Sequence, residues 1–177
     1  MEKVTLGGGC FWCLEAIFKT VKGIYFVRNG YMGGHIENPT YELVCSGQSG
    51  YVEVIQFEFD PSIISFENIL EIFFNIHDPT TLNRQGNDIG SQYKSIIFFH
   101  SQSQKQISKK HIQELEKRKV YTQLIVTEIA EASSFYEAEK YHEDYYNQNK
   151  NQPYCKIIIE PKLNKFLKTY KNILKND

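Results

Sequence analysis

Three glycines in a row, Gly7-Gly8-Gly9, stand between a short apolar run and a helical pattern, and they fix how the chain begins to fold. Lys3 to Leu6 reads as a strand, and Cys10 to Lys19 carries Leu14, Ile17 and Phe18 at helical spacing. A strand, a glycine turn and a helix start follow in sequence, and Cys10 lands in the first turn of that helix. Without side chains the turn can take unusual dihedrals and let another molecule approach closely. A turn that only joins strand to helix is the bland alternative. Phosphate cradling is weaker, because no Gly-Lys-Ser/Thr follows the glycines.

The remaining pattern alternates between strands and helices. Tyr25 to Val27, Tyr51 to Phe59, Tyr93 to Phe99 and Leu124 to Ile129 read as strands. Phe66 to Ile76, Gln104 to Lys119, Glu137 to Gln148 and Leu163 to Leu174 read as helices, while Tyr31 to Pro39 and Asp78 to Gly90 read as loops. No internal repeat or linker divides the 177 residues, so residues 1–177 are expected to form one catalytic domain with a mobile C-terminal segment from about residue 150. The interleaving favours an α+β fold, a mixed or antiparallel sheet with helices packed on it.

Charge and hydropathy exclude several partners. Lys plus Arg number 20 and Asp plus Glu 21, a formal net charge of −1, which leaves no broad cationic field for nucleic acid. No apolar run approaches the roughly 20 residues of a membrane span. Met1 to Leu6 lacks the basic and apolar regions of a signal peptide, so a cytoplasmic location is expected. In a reducing compartment, Cys10, Cys13, Cys45 and Cys155 are too few and too unevenly spaced for a disulfide scaffold. They read as free, metal-bound or catalytic thiols. The Lys-rich end from Lys156 to Lys175 reads as a solvated face.

A thiolate at a helix N-terminus is stabilised by the unpaired N–H groups and the positive end of the helix dipole, which gives Cys10 the position of a nucleophile. Cys13 lies three residues on along the same helix face, within reach of an oxidised Cys10. Two other readings of the pair stay open. One is half of a zinc site with His35 and Cys45 as further ligands, although the second half lacks paired spacing. The other is a thioredoxin-like redox pair, against which stand the chain's length and the bulky Phe11-Trp12 between the cysteines. That dipeptide suggests an apolar pocket beside the thiol.

In the strand from Tyr51, Glu53 shares a face with Ile55, Phe57 and Phe59. A carboxyl among apolar neighbours has a raised pKa and can donate a proton near neutral pH. A wet strand end would make it an ordinary surface acid instead. His77, before Pro79, and His142, on an expected amphipathic helix with Tyr145 nearby, are better explained structurally.

Gly9-Cys10-Phe11-Trp12, Gly33-Gly34 through Asn38-Pro39-Thr40-Tyr41, Glu53 and His77-Asp78-Pro79-Thr80 together resemble the A-type peptide methionine sulfoxide reductases. Asn83 to Tyr93, Phe135 to Glu139, Tyr141-His142 and Pro153-Tyr154-Cys155 continue the resemblance, which covers about Val4 to Leu163. It implies the ferredoxin-like two-layer sandwich of that family, with no metal or bound organic cofactor. The implied activity is reduction of the S epimer of methionine sulfoxide, free or in oxidised proteins and peptides, with thioredoxin as reductant and a monomeric enzyme. Cys10 would attack the sulfoxide sulfur and become a sulfenic acid, and Glu53 would protonate the oxygen. Tyr41 and Tyr93 would hydrogen-bond the oxygen, Phe11 and Trp12 would hold the methyl group, and Asp88 would orient the substrate. Cys13 is expected to resolve the sulfenic acid first, with Cys155 in relay, and Cys45, in the loop before the Glu53 strand, to be a packed bystander. One departure bears on peptide binding. Where the family has Gly-His two residues before the glutamate, this chain has Gly50-Tyr51, so tyrosine must supply a different hydrogen bond.

Overall fold

The computed structural model describes residues 1–175. Its centre is the unit β1 (Glu2–Gly7), α1 (Phe11–Phe18), β2 (Ile24–Met32), α2 (Tyr41–Cys45), β3 (Val52–Phe59), α3 (Phe66–Ile76). The minor strands β4 (Arg84–Gln85) and β5 (Asp88–Ile89) pair as a small hairpin. β6 (Ile96–Phe99), α4 (Gln102–Lys117), β7 (Glu128–Glu131), β8 (Tyr136–Glu137), α5 (Tyr145–Gln148) and α6 (Glu160–Thr169) complete the chain. The main sheet runs β7-β6-β1-β3-β2-β8. Within it β6-β1-β3-β2 are antiparallel neighbours, the strand order of a split β-α-β-β-α-β unit, and β7 joins β6 in parallel. The sheet is therefore mixed and the fold α+β, with helices packed on it.

Strand alternation assigns the two faces. Val4, Leu6, Ile55, Phe57 and Phe59 point into the main core with Leu14, Ile17 and Phe18 of α1 and Ile69, Leu70 and Phe73 of α3. Met32, Val52, Val54, Ile96 and Phe98 form a smaller cluster on the opposite face, against Ala130, Ala132 and Phe135. Ser65 starts α3 by accepting a hydrogen bond from the Asn68 amide, and Ser101 starts α4 the same way from Gln104.

Several expected elements change. Glu137 to Gln148 is not a helix. Tyr136–Glu137 pairs with β2, Lys140–His142 is a single 3-10 turn, and helix is confined to α5. Helical spacing loses here to tertiary hydrogen bonds. The Ala138 amide donates to the Asn29 carbonyl, and Asp144, in the left-handed region at φ 51°, donates its amide to Glu15. Strand β2 extends to Met32, beyond the expected Tyr25 to Val27, because β3 and β8 flank it. Its register slips between Tyr25 and Arg28, where Phe26 sits at φ 53°. Residues 41–45, given no element from sequence beyond the loop expected at Cys45, form α2, capped by the Thr40 side chain accepting from the Leu43 amide. The strand expected at Tyr93 to Phe99 starts at Ile96 after a 3-10 turn, and the one at Leu124 to Ile129 is shifted to Glu128–Glu131. The helix expected to Leu174 stops at Thr169 and is preceded by a π turn over Cys155–Ile159.

Glu15 ties this irregular strap to α1. Only 2% exposed, its carboxylate accepts from Asn29 Nδ2 at 2.8 Å and the Asp144 amide at 2.9 Å, and pairs with Lys19 at 3.0 Å. Glu15→Ala leaves buried donors without an acceptor and is expected to cost about 3–5 kcal/mol in urea denaturation. A loss below about 1 kcal/mol would remove Glu15 as the anchor.

Candidate active site

The antiparallel order places four chain segments at one end of the sheet. Leu6 pairs with Ile55, so the end of β1 lies beside the start of β3, and the turn leading to Cys10 passes close to Glu53. A Cβ on Gly7 would come within 3.1 Å of the Glu53 carbonyl oxygen. The amide of Gly9, at φ 89°, donates to the Tyr93 carbonyl just before β6. On the other side of β3, Tyr31 pairs directly with Glu53.

Cys10 occupies the N-cap of α1 in extended conformation, where an oxygen-bearing side chain usually closes the first turn. It makes no such cap. The Phe11 amide instead donates to Glu53 Oε2 at 3.1 Å, a buried bond that joins the first turn of the helix to the strand acid. Glu53 is 1% exposed, and burial pushes its pKa up to about 8 against the opposing pull of the Phe11 N–H, with Asp88 and Cys13 adding to the rise. The carboxyl is therefore held largely protonated at neutral pH.

Cys10 and Cys13 are 7% and 6% exposed, and each shifts the other's titration. Burial holds the Cys10 thiol well up, and Cys13 and Glu53 add to it; the Trp12 amide pulls the other way. The helix N-terminus thus acts on Cys10 as expected from sequence, but desolvation outweighs it in the resting site. Cys13 is drawn below the ordinary thiol value, chiefly by Cys10. Cys155, fully buried at the start of the π turn, is raised by burial and then by Cys13, which makes Cys13 the thiol of the pair whose charge Cys155 feels. Cys45 is not packed in a loop. It is an exposed thiol at the end of α2.

Burial and then the Glu53 carboxyl raise the phenols of Tyr41 and Tyr93, so both remain hydrogen-bond donors beside the acid. Phe11 is fully buried, and Trp12 stacks on Tyr145 at 3.7 Å with planes 5° apart. Asp88 Oδ2 accepts from the Tyr154 hydroxyl at 2.6 Å. Tyr51 bonds neither Glu53 nor the thiols. Its hydroxyl donates to the Ile36 carbonyl and its ring lies where a Cβ on Gly34 would sit, so it braces the 33–38 loop. His77 stays neutral, its pKa pushed down to about 4 by burial, and it binds Phe73 and Ser95 behind the glycine turn. The zinc alternative finds no support: among the described residues no three His, Cys, Asp or Glu side chains gather as a metal site requires.

Tyr31, Glu139, His142, Tyr145 and Tyr154 line or brace this site without having been assigned a role from sequence. Tyr31 fell in a stretch read as loop, and only the β2–β3 register puts it opposite Glu53. His142 lies in a 3-10 turn rather than on a helix, and is fully buried against Phe11, Trp12 and Tyr41.

Paired buried thiols at a helix start, beside an acid kept protonated and walled by aromatic rings, define a thiol oxidoreductase that works with a proton donor. Comparison with known proteins makes the class specific. The family model "Peptide methionine sulfoxide reductase" matches residues 2–174. "Peptide methionine sulfoxide reductase MsrA" of Sulfolobus acidocaldarius is 55% identical over 170 residues, 96% of each chain. Reduced Mxr1 of Saccharomyces cerevisiae superimposes with a TM-score of 0.78 at 32% identity, covering 87% of this chain and 88% of that one. Mxr1 in complex with Trx2 shares the fold with a TM-score of 0.54 at 23% identity, covering 81% and 84%. The chain belongs to the peptide methionine sulfoxide reductase family.

Proposed function

We propose that the chain reduces methionine S-sulfoxide, free or in proteins, by a thiol cycle centred on Cys10 and Glu53. The bond from the Phe11 amide to Glu53 carries the reading, because it fixes a protonated acid next to the residue that follows the nucleophile. The methyl group rests on Phe11 and Trp12, while the oxygen faces Glu53, Tyr41 and Tyr93, and Asp88 orients the backbone. Protonated Glu53 is neutral, which relieves one of the influences holding the proton on Cys10. Cys10 sulfur attacks the sulfoxide sulfur as Glu53 passes its proton to the oxygen, giving an adduct with a new bond between the two sulfurs; the hydroxyl then moves to the Cys10 sulfur as its bond to the methionine sulfur and the bond between the sulfurs both break, methionine leaves, Cys10 becomes a sulfenic acid, and the proton given up by the Cys10 thiol replaces the one Glu53 lost.

Cys13 then attacks the Cys10 sulfur, water leaves, and a Cys10–Cys13 disulfide forms. Cys155 can take over Cys10's place in that disulfide once the C-terminal segment opens, since in the closed structure it is wholly buried. A dithiol reductant such as thioredoxin completes the cycle; yeast Mxr1 has been captured with Trx2. The cycle as proposed asks for no group from a second copy, and the enzyme is taken to work as a monomer. No described helix is long and apolar enough to cross a membrane.

The direct test is single-turnover reduction of separated S and R epimers of a methionine sulfoxide peptide, with free thiols counted afterwards. Conversion of the S epimer alone with two thiols consumed is expected, and conversion of neither epimer overturns the reading. Cys13→Ser is expected to keep the first turnover and to slow thioredoxin-supported recycling by about tenfold or more. Recycling at the wild-type rate would pass the resolving role to Cys155.

A further inference from the structure

Lys162 of α6 is half-buried beside Leu163, which packs into the main core with Leu14 and Ile17 of α1. Lys19, also half-buried, holds Glu15 at 3.0 Å, and Lys94 holds Glu128 at 2.9 Å. Among the described residues no carboxylate lies within ion-pair distance of Lys162. Two cavities flank it instead. One of 540 Å³ reaches His77 and Asp78, the other of 440 Å³ reaches Asp88 and Tyr154, and Gln85 and Lys162 line both.

The glycine turn before Cys10 rests on the same walls. A Cβ on Gly8 would meet the His77 ring at 3.1 Å, and one on Gly9 would meet Gln85 Cγ at 2.7 Å. Gln85 is already committed, its Oε1 accepting from the Asp78 amide and its Nε2 donating to the Asp78 carbonyl, both at 3.0 Å. Asp88 Oδ2 is likewise held by the Tyr154 hydroxyl at 2.6 Å. The charge of Lys162 is felt on both sides of the turn. His77 is kept neutral by burial first, with Lys162 adding to it. Cys13 is drawn down by Cys10 first and then, against its burial, by Lys162 and Tyr154, while Asp88 opposes. Glu53 and Cys155 complete its charged surroundings: each, raised chiefly by burial, is raised further by Cys13.

We propose that Lys162 is a positioning residue for the resolving step, an unpaired cation set between two cavities behind the glycine turn to favour Cys13 as a thiolate when it attacks the Cys10 sulfenic acid. This rests on the reductase reading above, with Cys13 as the resolving thiol. An ammonium drawn partly out of water without a carboxylate partner is unfavourable, and the cycle supplies the anion it lacks. Cys10 as a thiol supports Cys13 only in the resting enzyme, because a sulfenic acid has replaced it by the time Cys13 attacks, whereas Lys162 is unchanged. In that step the bond between the two sulfurs forms as the S–O bond on Cys10 breaks, so Cys13 sulfur is oxidised and Cys10 sulfur reduced. The proton that Cys13 released to solvent is matched by the one the departing hydroxide takes up to leave as water. Lys162 keeps its own proton throughout.

Lys162→Met keeps the stem and removes the charge, and Lys162→Arg keeps the charge. The ultraviolet thiolate absorbance of the reduced, intact protein reads the effect without turnover. The thiol that titrates lowest, identified by its loss in Cys13→Ser, is expected to move up by about one pH unit in Lys162→Met and to stay in place in Lys162→Arg. Single turnover with the S-sulfoxide peptide should show the same shift in disulfide formation rather than in methionine release. A more basic thiolate is scarcer but more nucleophilic, so Lys162→Met should form the disulfide about threefold more slowly on the acidic side and about threefold faster on the alkaline plateau. A purely structural role would lower the thermal midpoint and slow both steps at every pH. An unmoved lowest thiol in Lys162→Met, an arginine variant shifted as far as the methionine one, or equal losses in methionine release and disulfide formation overturns the proposal. Wild-type protein that reduces neither epimer would instead overturn the reductase reading, and wild-type recycling in Cys13→Ser would overturn Cys13 as the resolving thiol. In either case the absorbance titration still decides whether Lys162 governs the charge on Cys13.

Discussion

Cys10→Ser is expected to lower the single-turnover rate on the S-sulfoxide peptide by about 10^4-fold or more. The substitution barely changes volume at a buried N-cap that makes no side-chain cap, so the thermal midpoint should stay within a few degrees of wild type. What disappears is a polarisable sulfur able to attack sulfur and then carry the oxygen. A hydroxyl with a far higher pKa cannot replace it. Thiol counting sharpens the result, because Cys13 and Cys155 remain and neither should be consumed. A variant that still converts sulfoxide at more than about a hundredth of the wild-type rate would transfer the nucleophile's role to Cys13.

Glu53→Gln should cost about 10^2 to 10^4 in rate, the usual range for removing a general acid, while keeping an acceptor for the Phe11 amide. The pH dependence carries the sign. Glu53 works protonated, so the wild-type rate is present below about pH 8 and falls as pH rises through that value, and the glutamine variant lacks this limb. Stability moves in a linked way. The folded-state pKa of about 8 lies above the unfolded value, so between roughly pH 4.5 and 8 the folded state holds a proton that the unfolded state has released, and stability declines as pH rises. The contribution of this one group is on the order of 4–5 kcal/mol. Relative to wild type, Glu53→Gln should therefore become more stable toward pH 8, which urea denaturation at pH 5 and pH 8 checks. An unchanged difference between the two pH values would place the Glu53 pKa near that of an ordinary carboxyl.

Much of the site was legible because its carriers are local. Cys10 at a helix start after a glycine turn, and Cys13 three residues on, are statements about one helix. The α3 pattern from Phe66 to Ile76 matches the observed helix because its apolar residues at helical spacing meet the sheet. The strap from Tyr136 to Gln148 was not legible. Its helical spacing is real, but β2 captures Tyr136 and Glu137, and Glu15 captures Asp144. Such bonds connect residues more than a hundred positions apart, beyond the reach of any window along the chain. The thiol environment was misjudged in its balance for the same reason. A helix N-terminus lowers a thiol's pKa by local geometry, whereas the desolvation that outweighs it at Cys10 depends on everything packed around it.

By itself the sequence determined that a thiol opens the first helix, that an acid lies on an apolar strand face, and which family these motifs resemble, since periodicity and short motifs are properties of neighbouring residues. Only the tertiary structure decided that this acid bonds the amide following the thiol, that Tyr31 lies opposite it, and that Tyr51 braces a loop. Strand register and burial set those contacts, and both arise from the whole chain packing at once.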